Sequence, residues 1–197
     1  MKNYLKKQLD SIERSFNLLD NENANRFLNE CIKTIDENKK IVATALGKNV
    51  PICEKFIGTL NSVSINAYFM HTSSAIHGDL GIVRNGDLII ILSKSGNTEE
   101  SIYLYEHLKN RKINVWLITC NQKSYLSNII PNKIIMDIGE EGDPWNIIPN
   151  NSSLSFLFFL QAISMALIDK LDIKIGEFKK NHPGGNIGKI LNKYEED

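Results

Sequence analysis

Hydroxyl side chains are concentrated in the segment 93–98, where Ser93, Ser95 and Thr98 surround a glycine. The segment follows the apolar run 87–92 and precedes a helix-like stretch, so we expect it to join a buried strand to a helix N-terminus. The unpaired N–H groups and the dipole of a helix N-terminus attract anions. The segment has neither the Gly-Lys-Ser/Thr ending of a nucleotide P-loop nor the three-glycine spacing of a dinucleotide site. It therefore predicts a cradle for a monophosphate group.

The same residue types also form ordinary turns between a strand and a helix. Asn97 at the N-cap and Glu100 at the third helical position would make a capping box, which needs no ligand. Both interpretations stay open for this segment taken alone.

Four ionisable residues stand at the ends of predicted elements: Lys48, Glu100, Glu141 and His182. The carboxyl ends of parallel strands share one edge of a sheet, where ligands bind, so we expect the first three to converge there. Each has a structural alternative. Lys48 could be a solvated loop lysine and Glu141 an ordinary loop acid, and His182 could cap a helix that stops at the following Pro-Gly-Gly.

Short apolar runs alternate with helical patterns along the chain, which is typical of a parallel sheet covered on both faces. The predicted strands are 40–46, 64–70, 88–92, 114–119 and 133–138. The predicted helices are 24–38, 52–60, 98–109, a short one near Ser124, and an N-terminal amphipathic helix with Leu5, Leu9, Ile12, Phe16 and Leu19 at helical spacing. We therefore predict an α/β fold, with a doubly wound five-stranded parallel sheet flanked by helices. The chain would form a single domain over 1–197. Its first 38 residues would be helical, and residues 39–191 would form the core.

Composition limits the function classes. The 23 basic and 23 acidic residues balance, so no global field attracts nucleic acid or a membrane surface. Cys31, Cys53 and Cys120 fit neither a disulfide framework nor a zinc site, so we assign none a catalytic role and predict a reducing cytoplasm.

The longest apolar stretch, 154–168, is shorter than the ~20 residues that span a bilayer, so no membrane span is expected. The wider helix 152–171 is apolar on nearly every face, which favours burial against a second subunit.

Five segments carry a resemblance to a known family. They are Gly47-Lys48, Ala75-Ile76-His77-Gly78-Asp79-Leu80-Gly81, the segment 93–100, Pro149-Asn150-Asn151-Ser152-Ser153, and His182-Pro183-Gly184-Gly185-Asn186-Ile187-Gly188. Over residues 39–191 the chain resembles the sugar isomerase (SIS) domain and, within it, the arabinose 5-phosphate isomerase family. After Lys48 the family usually continues Ser-Gly-His-Ile, whereas this chain has Asn49-Val50-Pro51-Ile52. That departure bears on substrate identity more than on reaction type.

The resemblance implies a set of site residues and no cofactor or metal. The catalytic residues would be Lys48, Glu100, Glu141 and His182, and the substrate- or phosphate-binding residues would be Asn49, His77, Ser93, Ser95 and Thr98. A glutamate whose pKa is raised by partial burial would be the base, and either Glu100 or Glu141 could take that role. Lys48 would stabilise the enediolate, and His182 would serve ring opening or oxygen protonation.

The implied function is aldose–ketose isomerisation of D-ribulose 5-phosphate and D-arabinose 5-phosphate through an enediol, for surface polysaccharide synthesis. The chain would work in the cytoplasm as a homo-oligomer, a tetramer or a dimer, without the regulatory CBS domains that many members carry. Two alternatives stay open. One is isomerisation of another phosphosugar, such as a heptulose phosphate, and the other is a non-catalytic sugar-phosphate sensor.

Overall fold

The computed structural model describes residues 1–193 and contains a single five-stranded sheet with helices on both faces. The strands are β1 (Ile41–Ala45), β2 (Ala67–His71), β3 (Leu88–Leu92), β4 (Asn114–Thr119) and β5 (Lys133–Ile135). The helices are α1 (Lys2–Asn17), α2 (Asn21–Asp36), α3 (Val50–Ser62), α4 (Thr72–Ala75), α5 (Glu99–Leu108), α6 (Tyr125–Ile129), α7 (Asn151–Lys170), α8 (Ile175–Lys180) and α9 (Gly185–Leu191). Two 3-10 turns, Gly47–Asn49 and Asp79–Ile82, complete the elements.

All strand pairs are parallel, and the order across the sheet is β2-β1-β3-β4-β5. The predicted α/β class and five-stranded parallel sheet are confirmed. The register aligns Ala45 with His71 on one side and with Leu92 on the other, and it aligns Leu92 with Ile118. The loops after these strands therefore begin at one level, along the carboxyl edge of the sheet.

The sheet separates two apolar cores, which explains why the central strands are apolar at every position. Alternate residues of β3 belong to different cores: Leu88, Ile90 and Leu92 pack with α2, α3 and α7, whereas Ile89 and Ile91 pack with α5 and α6. The central strands are thus packed against helices on both faces of the sheet.

Two strand boundaries differ from the prediction by three residues, and three others, both ends of β1 and the end of β2, differ by one residue. β2 begins at Ala67 rather than at residue 64, because Ser64 adopts a left-handed backbone conformation (φ 63°). β5 ends at Ile135 rather than at residue 138, because α1 binds the chain beyond it. The hydroxyl of Ser11 donates to the carbonyl oxygen of Ile138, and the hydroxyl of Ser15 donates to that of Asp137.

Helix α1 is amphipathic as predicted, but much of its apolar side is not buried within this chain. Its buried residues are the serines Ser11 and Ser15, which contact the segment after β5. Leu5, Leu9 and Phe16 are each more than half exposed. A row of exposed large apolar side chains is typical of an interface.

Helix α7 packs against α1, α2 and α3. Length and composition alone would let it cross a membrane, but half of its most apolar stretch is buried in the domain. That burial favours a core helix, as the sequence predicts. Phe158 and Met165 lie on its exposed side, about half accessible to solvent.

Candidate functional site

The hydroxyl cradle lies between β3 and α5, as the sequence predicts. Thr98 Oγ1 is 3.4 Å from the hydroxyl oxygens of both Ser93 and Ser95. The Ser93 hydroxyl accepts a hydrogen bond from the Gly96 N–H at 3.2 Å, and the Ser95 hydroxyl accepts one from the Asn97 N–H at 3.2 Å. The three hydroxyls are therefore grouped at the N-terminus of α5, where the helix dipole favours an anion.

Gly96 is required for this loop to close. Its φ of +62° is one that residues with a Cβ rarely adopt, and a Cβ there would stand 2.1 Å from the Ser124 hydroxyl oxygen. The Gly96 carbonyl also accepts a hydrogen bond from the Leu126 N–H. The cradle is thus packed against the start of α6.

The capping box expected at Asn97 does not form. The N-cap of α5 is Thr98, and its side chain makes no capping hydrogen bond. The Asn97 side chain instead accepts a hydrogen bond from the Tyr125 N–H at 2.7 Å, which ties the loop to α6. The capping box was therefore predicted wrongly, whereas the hydrogen bonds within the loop fit an ordinary turn as well as a phosphate cradle.

Glu141 lies beyond β5 with its side chain buried. Oε2 accepts hydrogen bonds from the backbone N–H groups of Asn150 and Ser152 at 2.9 and 3.0 Å, and Oε1 accepts one from the Ser152 hydroxyl at 2.6 Å. The Lys94 ammonium is 3.1 Å from Oε1. Both carboxylate oxygens are therefore occupied at the N-terminus of α7.

The pKa of Glu141 lies below its ordinary value. Burial by itself raises the pKa, but the hydrogen bonds from Ser152 and Asn150 and the contact with Lys94 outweigh burial and lower it. This is opposite to the raised pKa that we expected of a base. Glu141 is therefore a fixed anion that also stabilises the first turn of α7.

Two pockets flank the cradle along the carboxyl edge. One, of about 350 Å³, contains Glu141 and Lys94 together with Ser95, Cys120 and Asn121. The other, of about 490 Å³, is lined by Thr72, Ser73, Ile76, His77, Glu99, Glu100 and Tyr103. Glu100 and Glu141 therefore both lie along the carboxyl edge of the sheet, as expected. They line different pockets, however.

Glu100 is exposed in the first turn of α5, and His77 is exposed on the loop after α4. They share the second pocket, as the resemblance implied for a common site. Neither carboxylate oxygen of Glu100 has a hydrogen-bond donor within the described residues. The Glu100 carboxylate is thus accessible in a way that the Glu141 carboxylate is not.

Lys48 and Asn49 lie in the 3-10 turn directly after β1, at the same edge of the sheet. Lys48 is exposed and makes no ion pair within residues 1–193, whereas Asn49 is half-buried. Lys48 lines neither of the two pockets described above. Its position agrees with the prediction, and its contact with substrate stays a prediction.

His182 lies apart from the other candidates in its own chain. The neighbouring Asn181 amide donates to the Ser62 carbonyl and the Ser64 hydroxyl, at the far end of α3. Helix α3 begins beside Lys48 and runs 13 residues, about 20 Å at 1.5 Å per residue. His182 is therefore near the amino ends of the strands, opposite to the carboxyl edge. Its ring packs on Phe178, with the ring centroids 3.9 Å apart.

The cysteines have the properties of structural residues. Burial raises the pKa of Cys31 and Cys53 far above the ordinary thiol value, and it raises that of Cys120 to about 12. None would be a thiolate near neutral pH. Within residues 1–193, no cluster of three or more His, Cys, Asp or Glu side chains is arranged to hold a metal ion. A metal-free reaction stays a prediction.

Lys94 is the residue that sequence reasoning missed. It belongs to the cradle segment, and it is the only charged residue between positions 88 and 98. A single charge in an otherwise neutral loop was the feature of the sequence that could have indicated a role for Lys94. Its partnership with Glu141, 47 positions later, could not be read from the sequence.

The comparisons with known proteins agree with this fold. An uncharacterised protein of Chlamydia pneumoniae is 32% identical over 160 residues, which cover 81% of this chain and 49% of that protein. The arabinose 5-phosphate isomerase KdsD of Pseudomonas aeruginosa is 29% identical over 165 residues, which cover 84% of this chain and 51% of that protein. The chain thus spans about half the length of these curated relatives.

Among solved structures, an Escherichia coli CFT073 protein in complex with arabinose 5-phosphate superposes with a TM-score of 0.83 at 27% identity. The superposition covers 92% of this chain and 95% of that one. The model of the SIS domain matches residues 34–165, which hold β1 through most of α7 together with the cradle and both glutamates. On this match the chain belongs to the SIS domain family.

Proposed function

We propose that this chain is an aldose–ketose phosphosugar isomerase that interconverts D-arabinose 5-phosphate and D-ribulose 5-phosphate. The grouping of the Ser93, Ser95 and Thr98 hydroxyls next to the accessible Glu100 carboxylate carries the proposal. Such a cradle would hold the phosphate while a carboxylate works on the sugar carbons. The choice of sugar is supported by the relatives named arabinose 5-phosphate isomerase and by the similar structure that holds arabinose 5-phosphate.

Glu100 is the base in this proposal, because its carboxylate is accessible whereas that of Glu141 is already saturated. In the aldose-to-ketose direction Glu100 takes the proton from C2. The C–H electron pair forms the C1=C2 double bond, and the carbonyl π pair moves onto O1. Lys48 stabilises the resulting enediolate, whose charge develops as the proton leaves.

Completion of the reaction returns the proton from Glu100 to C1. The hydroxyl proton of O2 is transferred to O1, which leaves the carbonyl at C2 and restores the number of protons. His182 is suited to carry a proton between oxygens or to open the sugar ring, because an imidazole ring can present one nitrogen as a hydrogen-bond donor and the other as an acceptor. The catalytic set of the proposal is thus Lys48, Glu100 and His182, with Glu141 as a support.

A complete site requires a second copy of the chain in this proposal. His182 is on the edge of the sheet opposite to Lys48, so it would serve the site of a neighbouring subunit. The exposed apolar side chains of α1 and α7 offer surfaces for such an assembly, a tetramer or a dimer. The assembly would act in the cytoplasm and supply a sugar for surface polysaccharide.

The direct test is to incubate the purified protein with a panel of pentose, hexose and heptose phosphates and to follow interconversion by NMR. We expect arabinose 5-phosphate and ribulose 5-phosphate to equilibrate. Conversion confined to a heptose–heptulose pair would support the alternative substrate that Asn49 to Ile52 leave open. Binding of phosphosugars without any conversion would contradict an enzyme and support a sensor.

A further inference from the structure

A phosphate bound in the cradle would need a counter-charge close by. A phosphate monoester carries about −1.5 to −2 at pH 7. The three hydroxyls of the cradle are neutral, and the next two residues of α5, Glu99 and Glu100, are acidic. A dianion bound there would lie beside two carboxylates, so a nearby cation is needed to offset the repulsion.

Lys94 is the cation within the cradle segment itself, between the two cradle serines. Its carbonyl oxygen accepts hydrogen bonds from the Cys120 N–H at 3.1 Å and the Thr119 hydroxyl at 3.0 Å, which fix its backbone to the end of β4. Its side chain is 38% exposed and lines the first pocket together with Ser95. A ligand that contacts Ser95 in that pocket is within the reach of the Lys94 side chain.

Glu141 contacts the Lys94 ammonium but leaves part of its hydrogen-bonding capacity available. The carboxylate already accepts three hydrogen bonds from Asn150 and Ser152, so it does not depend on Lys94 for its hydrogen bonding. An ammonium group has three N–H donors, and the contact with Oε1 at 3.1 Å occupies one of them. Within residues 1–193 the ammonium has no second ion-pair partner, so two donors remain for a ligand.

We propose that the Lys94 ammonium binds the phosphate group held in the cradle, with Glu141 as the counter-ion that positions it. The inference rests on the proposed function for the identity of the ligand, a phosphosugar. It assigns Glu141 a positioning role and Lys94 a binding role. Neither of them transfers the substrate proton.

Calorimetric titration with inorganic phosphate tests the proposal without any turnover, and titration with arabinose 5-phosphate in a Glu100→Gln background extends the test to the proposed substrate. We expect Lys94→Gln to weaken binding of both ligands by about 10- to 100-fold, the range for loss of one hydrogen bond between charged groups. Lys94→Arg keeps the charge and should stay within about threefold of the original affinity. Lys123→Gln, which removes an exposed lysine after β4, is the matched control and should change nothing.

Lys94→Gln leaves the buried Glu141 carboxylate without its counter-ion, which could unfold the protein. A second variant controls for this effect. The double variant Lys94→Gln/Glu141→Gln removes both charges and should bind phosphate as weakly as the single variant. Unchanged phosphate affinity in either folded variant would overturn the proposal, as would the absence of phosphate binding by the original protein.

The outcomes separate this inference from the proposed function. A protein that equilibrates the two pentose phosphates but binds phosphate equally well without Lys94 would refute the role of Lys94 alone. A protein that binds phosphate through Lys94 but converts no phosphosugar would refute the enzyme alone.

Discussion

The Ser152 hydroxyl donates to Oε1 of Glu141 at 2.6 Å, and the Ser152 N–H donates to Oε2 of the same carboxylate at 3.0 Å. One buried acid thereby holds the first turn of α7 to the loop after β5. We expect Glu141→Gln to lower the free energy of unfolding by about 1–3 kcal/mol, because charge-assisted hydrogen bonds are replaced by weaker ones. Chemical denaturation measures the change, and Glu140→Gln, at an exposed neighbour, is the control.

The pH dependence of stability follows from the lowered pKa of Glu141. A group with a lower pKa in the folded state stabilises the fold fully above its unfolded value of 4.5, and this contribution is lost as pH falls through the folded pKa. The difference in unfolding free energy between the original protein and Glu141→Gln should therefore be largest above about pH 5 and shrink in acid. A difference that grows in acid would contradict the lowered pKa.

Glu100→Gln should abolish most of the catalysis while leaving the fold intact. Its carboxylate is exposed, so the melting temperature should not change, whereas loss of the base should lower kcat by about 100-fold or more. Steady-state kinetics with arabinose 5-phosphate measure the effect, and Glu13→Gln, at an exposed position of α1, is the control. A change confined to KM would assign Glu100 to binding instead.

An enediol route exposes the transferred proton to solvent. Reaction in heavy water should introduce deuterium at C1 of ribulose 5-phosphate or C2 of arabinose 5-phosphate, because a protonated carboxylate exchanges with water between steps. Proton NMR of the product detects the loss of signal at these carbons. Product free of deuterium at both carbons would favour a hydride shift and remove the role given to Glu100.

The cradle hydroxyls should contribute directly to phosphosugar affinity. Replacing both Ser95 and Thr98 by Ala should weaken binding by about 1–3 kcal/mol, through lost hydrogen bonds to a charged phosphate. Calorimetric titration with arabinose 5-phosphate in a Glu100→Gln background gives the value without turnover, and Thr59→Ala on α3 is a control remote from the site. Equal affinity in the folded double variant would place the phosphate elsewhere.

Sharing of the site between subunits predicts complementation. Lys48→Ala and His182→Ala subunits should each be inactive, yet mixed oligomers should contain some sites with both residues intact. Joint refolding of the two variants should restore a measurable fraction of activity. If mass spectrometry shows mixed oligomers that are as inactive as their parents, His182 does not act across the interface.

Local sequence was sufficient to predict the strands of the sheet and the grouping of the cradle hydroxyls. The five strands were predictable because apolar runs such as 88–92 are buried on both faces, and the grouping of Ser93, Ser95 and Thr98 was predictable because the three residues share one short loop. The end of β5 and the cap of α5 were predicted wrongly. Each depends on a hydrogen bond from a distant element, α1 in one case and α6 in the other.

Only the tertiary structure distinguished the two glutamates and located His182. By residue type and by position after a strand, Glu100 and Glu141 were equal candidates for the base. Their different surroundings come from Ser152, Asn150 and Lys94, which meet Glu141 only when α7 and β3 are packed together. Likewise, the place of His182 was decided by the packing of α8 against the far end of α3, since contacts across the fold decide the environment of a side chain while sequence patterns specify only its own element.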